Sequence, residues 1–184
     1  MSRALVVLAN GCEEIETVTP ADVLVRAGVA VVIASVTDAL VVIGSRGLPL
    51  GAHTTLTAVG GQDFDLIFLP GGNGSAKTCR EDFRIQDLCE HQLASGRWLA
   101  TICAATTALV PRGLHRGRRL TSYPTVRDQF TGATWLDQPV VVDGNLVTSQ
   151  GAGTAMAFAL TLAKLLAGAK QAAAVAKQMI AQPE

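Results

Sequence analysis

The sequence predicts an α/β fold, with an open, mostly parallel sheet and helices on both of its faces. Short apolar runs alternate along the 184 residues with longer segments of helical character, which is the pattern of this fold class. The first run, the helix after it and the second run form a βαβ unit, in which a right-handed parallel crossover is the rule. No linker, low-complexity tract or internal repeat interrupts the alternation. We therefore expect residues 1–184 to form one domain, long enough to enclose a full hydrophobic core.

The individual elements follow from the apolar runs and from the glycines and prolines that end them. Strands are predicted at residues 4–9, 29–36, 66–69, 98–102, 119–122, 140–143 and 146–149. Helices are predicted at residues 14–27, 82–95, 154–166 and 169–180, and a further helix is expected to start at Cys103. Glycine and proline recur within residues 40–58, which favours short hairpin strands at a sheet edge.

Charge and composition argue against a nucleic-acid partner. Fifteen basic and fifteen acidic residues cancel, so no global field attracts phosphate backbones or anionic membranes. One basic cluster occurs around His115, at Arg112, Arg116, Arg118 and Arg119. Because the net charge is zero, we expect this cluster to be a solvated loop and expect no specific nucleic-acid binding.

The apolar segments and cysteines indicate a cytoplasmic protein. The first apolar run, residues 4–9, is too short for a signal-peptide core and lacks a cleavage pattern. No stretch approaches the roughly 20 apolar residues of a membrane helix, so no membrane partner is expected. In the cytoplasm the cysteines should be reduced thiols, and they stand at Cys12, Cys79, Cys89 and Cys103.

Motifs for metals and nucleotide cofactors are missing. Cys89-Glu90-His91 places potential ligands side by side, but no second pair follows at the spacing of a zinc site. The first strand is not followed by G-x-G-x-x-G, and no Walker lysine occurs. We therefore expect neither a metal nor a cofactor.

Cys103 is the most informative residue because of its position between a predicted strand and a predicted helix. Unpaired N–H groups and the positive end of a helix dipole at such a junction favour thiolate, which is the nucleophilic form. The alternative is that Cys103 is a small buried hydrophobe, as most free cysteines are. The local pattern predicts a lowered thiol pKa if the first interpretation holds.

Three acidic residues crowd the first turn of the first predicted helix, at Glu13, Glu14 and Glu16. Carboxylates at this position complement the helix dipole, which accounts for two of the three. A third that turned inward would have its pKa raised by burial and by like charge. Such a neutral carboxyl beside a thiolate is able to donate a hydrogen bond to sulfur and to shuttle protons.

Pro70-Gly71-Gly72 follows another predicted strand and allows close approach of the backbone to a ligand. Its N–H groups would then form an oxyanion hole, although a tight turn that needs positive φ explains the glycines equally well. In an open parallel sheet, ligands bind outside the carboxyl ends of the strands. We therefore expect residues 11–16, 71–74 and 103–105 to form one site.

The histidines do not complete a Cys–His pair in this pattern. His53, His91 and His115 are predicted in loops or on a helix away from the strand ends, which argues against an ordinary cysteine protease. Thr121 and Tyr123 are the nearest polar candidates for a third wall of the site.

Taken together, these segments resemble the ThiJ/PfpI superfamily, most closely its YajL-like branch, the bacterial relatives of the Parkinson-disease-linked deglycase. The resemblance covers essentially the whole chain, in family order and at family spacing. The matching stretches are RALVVLANGCEEIETVTPADVLVRAG (3–28), DFDLIFLPGGN (63–73), LATICAATTAL (99–109), LTSYPTVRD (120–128) and VTSQGAGT (147–154).

The resemblance implies a flavodoxin-like three-layer α/β/α sandwich that forms a homodimer. It places the family's nucleophile on Cys103 and the protonated glutamate bonded to its sulfur on Glu16. The family's backbone donors, which would bind an oxyanion, fall on Gly72 and Ala104.

The resemblance also implies residues at the subunit contact. The family's dimer-contact pair matches Asp22 and Arg46, and Arg46 would reach toward the partner's site with Arg26 nearby. Tyr123 stands where the bacterial branch has an aromatic residue and the human relative a histidine.

Two departures from the family pattern concern turns beside the site. The family has proline after the glycine or alanine that follows Ala104, and this chain has Thr106. The family's G-P-G-T reads Gly-Ala-Gly-Thr at residues 151–154. Loss of both prolines is expected to loosen the two turns and to affect substrate preference more than the nucleophile.

The function implied is a cofactor-independent glyoxalase that converts methylglyoxal to lactate. Such proteins are also described as deglycases that act on glycated protein and nucleotide amines. The alternative from another class is an oxidative-stress sensor or chaperone whose cysteine is oxidised to sulfinate. An amidase or protease activity rests on superfamily analogy alone and lacks a suitably placed histidine.

Overall fold

The computed structural model describes residues 1–181 and contains a central seven-stranded sheet. Within those residues the strands, in chain order, are β1 (Arg3–Leu8), β2 (Ala30–Ser35), β3 (Val41–Ile43), β4 (Pro49–Gly51), β5 (Thr54–Thr55), β6 (Leu66–Leu69), β7 (Trp98–Ile102), β8 (Arg119–Leu120), β9 (Thr134–Trp135), β10 (Val140–Asp143) and β11 (Leu146–Ser149). The α-helices are α1 (Glu14–Arg26), α2 (Asn73–Glu81), α3 (Phe83–Ala94), α4 (Ala155–Ala167) and α5 (Ala169–Gln178). Short 3-10 helices span Cys103–Leu109, Pro124–Gln129 and Ala152–Thr154.

The central sheet has the order β10-β11-β7-β6-β1-β2-β5. Every neighbouring pair is parallel except β10 and β11, which form an antiparallel hairpin at one edge. This topology confirms the predicted α/β class with a mostly parallel sheet of the flavodoxin-like kind. The prediction of one domain over residues 1–184 extends beyond the described residues at its last three positions.

The two faces of the sheet are covered by different helices, which gives three layers. Side chains of β1 alternate between the faces, and both faces are buried. Leu5 and Val7 pack with residues of α2, α3 and the 3-10 helix after β7. Ala4 and Val6 pack with residues of α1 and α4. Helix α5 adds to the second layer by packing its buried residues against α1 and α4.

The strand order reverses between β1 and its neighbour β6, since the chain leaves β1 toward β2 and later returns on the other side. A crevice opens at such a switch point outside the carboxyl ends of the strands. The turns after β1, β6 and β7 meet there, so the sheet topology itself brings the candidate residues together.

The sequence prediction missed one helix. Helix α2 was not predicted, because Gly74 in its first turn is typical of a loop; the helix forms because Ser75, Ala76 and Cys79 are buried, with Ser75 Oγ donating to the Pro70 carbonyl at 2.9 Å. The helix predicted to start at Cys103 is present, and it is a 3-10 helix. The edge segment predicted at residues 40–58 is confirmed as the β3–β4 hairpin followed by β5.

Candidate active site

A cleft of about 770 Å³ lies at the carboxyl ends of β1, β6 and β7. Six of the seven predicted site residues line it, namely Glu16, Arg46, Gly72, Cys103, Ala104 and Tyr123. Its remaining walls come from the turn after β1 and from residues 150–154. The three turns that the sequence grouped together do form one concave surface.

Cys103 sits at the end of β7 in a strained backbone conformation. Its φ is +60°, in the left-handed region that only glycine adopts readily. The strain aims the side chain into the cleft, where Sγ lies within hydrogen-bond reach of the Ala104 and Gly72 backbone N–H groups. Cys103 is half-buried, whereas Cys12, Cys79 and Cys89 are buried. It is thus the accessible thiol among the described residues.

Glu16 is the carboxyl that turns inward. Only 1% of its surface is exposed, and it contacts the Cys103 thiol and the Gly71 backbone N–H. Its Oε2 nevertheless lacks a well-aligned hydrogen bond to any residue that the structure describes. A buried carboxylate oxygen without a donor is costly, and a protonated one is not. The environment therefore favours a proton on this carboxyl.

Gly71 and Gly72 leave the room that this pair requires. A Cβ on Gly71 would lie 2.2 Å from Oε2 of Glu16 and 2.6 Å from Cβ of Cys103. Gly72 has φ +91°, and a Cβ there would lie 2.2 Å from the carbonyl oxygen of Gly11. Both interpretations of these glycines therefore hold, since the turn needs a positive φ and also brings backbone against the site.

Burial dominates the titration of the two groups. Burial, and after it the charge of an ionised Glu16, raise the pKa of the Cys103 thiol to about 12. Burial likewise raises the pKa of Glu16 to about 7. The predicted lowering of the thiol pKa is wrong for Cys103 taken alone, because desolvation outweighs the nearby N–H groups of a short 3-10 helix. The two groups are in contact, so the ionisation of each affects that of the other.

The other two acids of the turn have separate tasks. Glu13 caps α1, with its Oε2 accepting from the Glu16 backbone N–H at 2.8 Å. Glu14 is also buried, and it accepts from the backbone N–H of Arg46 at 2.7 Å and the Ser45 hydroxyl at 3.1 Å. The sequence pattern predicts carboxylates at the start of the helix and one carboxyl that turns inward, but it does not reveal the role of Glu14.

Arg26 does not line the cleft of its own chain, and its predicted place near the partner's site stays a prediction. It pairs with Asp22 one turn earlier on α1, with Nε 2.7 Å from the carboxylate oxygen, and both side chains are substantially exposed. Arg46 instead lines the cleft of its own chain from the tip of the β3–β4 hairpin. The prediction that Asp22 and Arg46 meet across a subunit contact stays a prediction.

Histidine is missing from the cleft lining among residues 1–181. Nδ1 of His53 accepts from the Ile33 backbone N–H at 3.1 Å, and His91 lies against Arg97. His115 is buried between the carbonyl oxygens of Leu109 and Thr131. These positions agree with the prediction that no histidine activates Cys103.

Side-chain hydroxyls form hydrogen bonds in both turns where the family has a proline, which here are the positions of Thr106 and Ala152. Thr106 Oγ1 accepts from Thr101 Oγ1 at 3.0 Å, which ties the 3-10 helix to β7. Thr154 Oγ1 bonds both the N–H and the carbonyl oxygen of Gly151, at 3.1 and 2.9 Å, and meets Ser149 Oγ at 2.6 Å. These hydrogen bonds hold both turns, and the expected loosening relative to the family stays a prediction.

Thr121 and the remaining cysteines do not form walls of the cleft. Thr121 is buried, and its Oγ1 has no partner among the described residues. Burial raises the pKa of Cys79 to about 12 and raises that of Cys12 and Cys89 as well. Across the part of the chain described here, no group of three or more His, Cys, Asp or Glu side chains is arranged to hold a metal ion. In the same residues, no helix is long and apolar enough to cross a membrane.

Comparison with known proteins identifies close relatives over the whole chain. A model of the DJ-1/PfpI family matches residues 2–165. Protein dj-1beta of Drosophila melanogaster is 41% identical over 179 residues, which is 96% of each chain. The glutathione-independent glyoxalase DJR-1.2 of Caenorhabditis elegans is 35% identical over 179 residues, covering 96% of this chain and 95% of that protein.

Solved structures agree with this relationship. The crystal structure of Drosophila melanogaster DJ-1beta superposes with a TM-score of 0.96 at 41% identity and covers all of both chains. A structure of oxidized Toxoplasma gondii DJ-1 superposes with a TM-score of 0.94 at 36% identity over 98% of each chain.

Proposed function

This chain belongs to the DJ-1/PfpI family, and on that basis we propose that it is a cofactor-independent glyoxalase and deglycase with Cys103 as nucleophile. The observation that carries the proposal is the contact between Glu16 and Cys103 in a cleft whose lining contains no histidine among the described residues. A named glutathione-independent glyoxalase at 35% identity supports the reaction class. Placement in the YajL-like branch stays a prediction.

The proposed reaction starts from the singly deprotonated pair. The remaining proton resides on Glu16, because its Oε2 has no other donor, while the Ala104 and Gly72 N–H groups reach the sulfur. The negative charge is then on Sγ, and a protonated carboxyl donates to it. The thiolate arises at neutral pH through the carboxyl and not through an intrinsically acidic thiol.

The thiolate adds to the aldehyde carbon of methylglyoxal and forms a hemithioacetal. Backbone N–H groups of Gly72 and Ala104 stabilise the oxyanion, which then takes the proton of Glu16 and leaves the Glu16 carboxylate free to act as a base. Glu16 moves a proton from this carbon to the neighbouring carbonyl carbon through an enediol, giving a lactoyl thioester. Water hydrolyses the thioester, releases lactate and regenerates Cys103. For a glycated amine, the thiolate would attack the hemiaminal carbon, and the C–N bond would break as the C–S bond forms. The amine would leave with the proton of Glu16, and the same hemithioacetal would remain on Cys103.

The proposal is tested by lactate formation from methylglyoxal without glutathione. We expect Cys103→Ser to lose lactate formation by at least about 10³-fold, since a serine hydroxyl ionises far less readily than a thiol and is a poor nucleophile when neutral. Lactate is measured, and not only the loss of aldehyde, because any thiol scavenges aldehydes. Equal lactate formation by both proteins would overturn the proposal. Cys12, Cys79 and Cys89 remain in both proteins and control for thiol scavenging.

A second candidate function, peroxide sensing with chaperone activity, has its own support. Cys103 is the accessible thiol among the described residues, and a relative at 36% identity has been solved in an oxidized form. Oxidation of Cys103 to sulfinate would then be the primary event. A Cys103-dependent mass gain of two oxygen atoms at low peroxide, together with no lactate formation, would favour this function over the glyoxalase.

The proposed partners are small α-oxoaldehydes, glycated amines and a second copy of this chain, in the cytoplasm. Exposed apolar side chains cluster on α1 and on the β3–β4 hairpin, and these are Ile15, Val18, Val25, Val41 and Ile43. A second copy would cover them, with Asp22 and Arg46 at the contact. Light scattering on a size-exclusion column would show a mass of two chains, and a mass of one chain would overturn this assignment.

A further inference from the structure

The tip of the β3–β4 hairpin is fixed to the turn that precedes α1. The Gly11 backbone N–H donates to the Ile43 carbonyl at 2.8 Å, and the Ser45 backbone N–H donates to the Cys12 carbonyl at 2.7 Å. These two hydrogen bonds fix the hairpin relative to the turn that leads into α1, the helix on which Glu16 lies. Its tip, Ser45 and Arg46, reaches the cleft in this way.

The carboxylate of Glu14 completes this attachment from below. It is 7% exposed and accepts from the Arg46 N–H at 2.7 Å, the Ser45 hydroxyl at 3.1 Å and the Leu48 N–H at 3.5 Å. Gly44 makes room for it, because a Cβ there would lie 2.3 Å from Oε1. The Glu14 side chain thus accepts hydrogen bonds from three residues of the hairpin tip, Ser45, Arg46 and Leu48.

Glu14 is held by neutral donors and not by a cation. Within residues 1–181, no lysine, arginine or histidine forms an ion pair with it. Burial by itself would raise the pKa of Glu14, but the backbone hydrogen bonds from the hairpin lower it. The carboxylate is therefore ionised at neutral pH, and Arg46, which lines the cleft, forms no ion pair with it or with another acidic side chain of residues 1–181.

Arg46 is the cation of an otherwise acidic cleft. The other charged side chains that line the cleft in the described structure are Glu13 and Glu16, apart from Cys103 itself. A negative lining disfavours anionic reactants unless a positive charge is placed among them. The position of Arg46 therefore sets how well Cys103 reacts with molecules that carry a carboxylate.

We propose that Glu14 is a positioning residue that fixes Arg46 over the cleft and thereby gives Cys103 a preference for anionic reactants. Within the proposed function, which this inference rests on for its substrates, the preferred compounds are oxoaldehydes and adducts that bear a carboxylate. A preference of the Cys103 thiol for anionic reactants is measurable without catalytic turnover. Alkylation of Cys103 therefore tests the role of Glu14.

The experiment compares two alkylating agents of nearly equal size, neutral iodoacetamide and anionic iodoacetate, at pH 7. The measured quantity is the ratio of the iodoacetate rate to the iodoacetamide rate at Cys103, followed by intact mass. We expect Arg46→Ala to lower this ratio about five-fold, because the substitution removes one partly solvent-screened attraction between a positive charge and the carboxylate of iodoacetate. Glu14→Gln is expected to lower it by at least three-fold, and Ser45→Ala by less.

The direction of the change separates positioning from simple charge. Removing the negative charge of Glu14 would by itself raise the rate with an anion, so a fall in the ratio reports displacement of Arg46. Glu81→Gln, an exposed carboxylate outside the cleft, is the matched control and should leave the ratio unchanged. General damage to the site would lower both rates together and leave the ratio at its wild-type value.

An unchanged or raised ratio in Glu14→Gln, with Arg46→Ala lowering it, would overturn the role of Glu14. An unchanged ratio in Arg46→Ala would overturn the anionic preference itself. Ser45→Ala keeps the inference testable if Glu14→Gln does not fold, since an unchanged ratio there also contradicts it. A protein that makes no lactate but shows these ratios would refute the glyoxalase and leave the role of Glu14 in place.

Discussion

Glu16→Gln is expected to lower the rate of lactate formation by about 10²–10⁴-fold, the usual contribution of one positioned acid–base group. Glutamine keeps the shape of the buried side chain, which touches Cys103 and Gly71, but it neither takes up nor delivers the proton that moves between the two carbons. The measurement is kcat for methylglyoxal, followed as lactate.

Glu13→Gln is the matched control for this prediction. Glu13 lies three residues earlier in the same turn and lines the cleft, but its carboxylate oxygen accepts from the Glu16 backbone N–H, a bond that a glutamine oxygen preserves. We expect a change of no more than a few-fold there. Turnover by Glu16→Gln within a few-fold of the wild type would rule out the proton shuttle.

Gly72→Ala is expected to destabilise the protein by roughly 3 kcal/mol or more, from overpacking and backbone strain together. The new Cβ would lie 2.2 Å from the Gly11 carbonyl oxygen and 2.7 Å from the Glu13 backbone nitrogen. Neither atom is able to move without shifting the turn that carries Glu16. The free energy of unfolding from denaturant titration measures the effect.

Gly28→Ala separates backbone strain from steric overlap in this measurement. Gly28 has a similarly positive φ of +83°, but nothing lies within 4 Å of a Cβ placed there. Its substitution should cost about 1 kcal/mol, for the conformation alone. Equal losses in the two variants would show that the turn at Gly72 is not packed as described.

The central strands could be predicted because they are buried on both faces. Uninterrupted apolar runs such as residues 66–69 have few alternatives in a chain of this size, and glycine or proline ends them. Helix α2 could not be predicted, because its first residues are typical of a turn and its stability comes from packing against residues 103–109. The 3-10 form of that segment follows from the left-handed backbone at Cys103, which its sequence does not reveal.

The candidate site could be predicted in part. Cys103 and Glu16 stand at strand ends that the topology brings together, and local pattern and resemblance both point to them. The role of Glu14 depends on a hairpin about thirty residues further along the chain, so no local pattern shows it. The glycine at position 44 is a hint of this contact, because the structure shows that it leaves room for the Glu14 carboxylate beneath the hairpin tip. Arg26 pairs with Asp22 on its own helix, and its predicted place near a partner's site stays a prediction.

The direction of the pKa shift of the Cys103 thiol could not be predicted from the sequence either. An argument from a helix dipole considers only the charges near sulfur, whereas desolvation depends on how deeply the folded chain encloses it. The folded chain encloses Cys103 and Glu16 together, and each affects the titration of the other. Reactivity therefore belongs to the pair.

The central claim is that Glu16 and Cys103 together hold one proton at neutral pH, with the charge on sulfur. It is tested most directly by the pH dependence of Cys103 alkylation by iodoacetamide in the wild type and in Glu16→Gln. Since only thiolate reacts, the wild-type rate should rise with pH through about 7, the pKa of Glu16, and then level off. In Glu16→Gln the rise should move above the ordinary thiol range, because burial still disfavours the thiolate and the acidic partner is gone. A wild-type rate that rises only toward pH 12, as for a thiol beside an ionised carboxylate, would contradict the account.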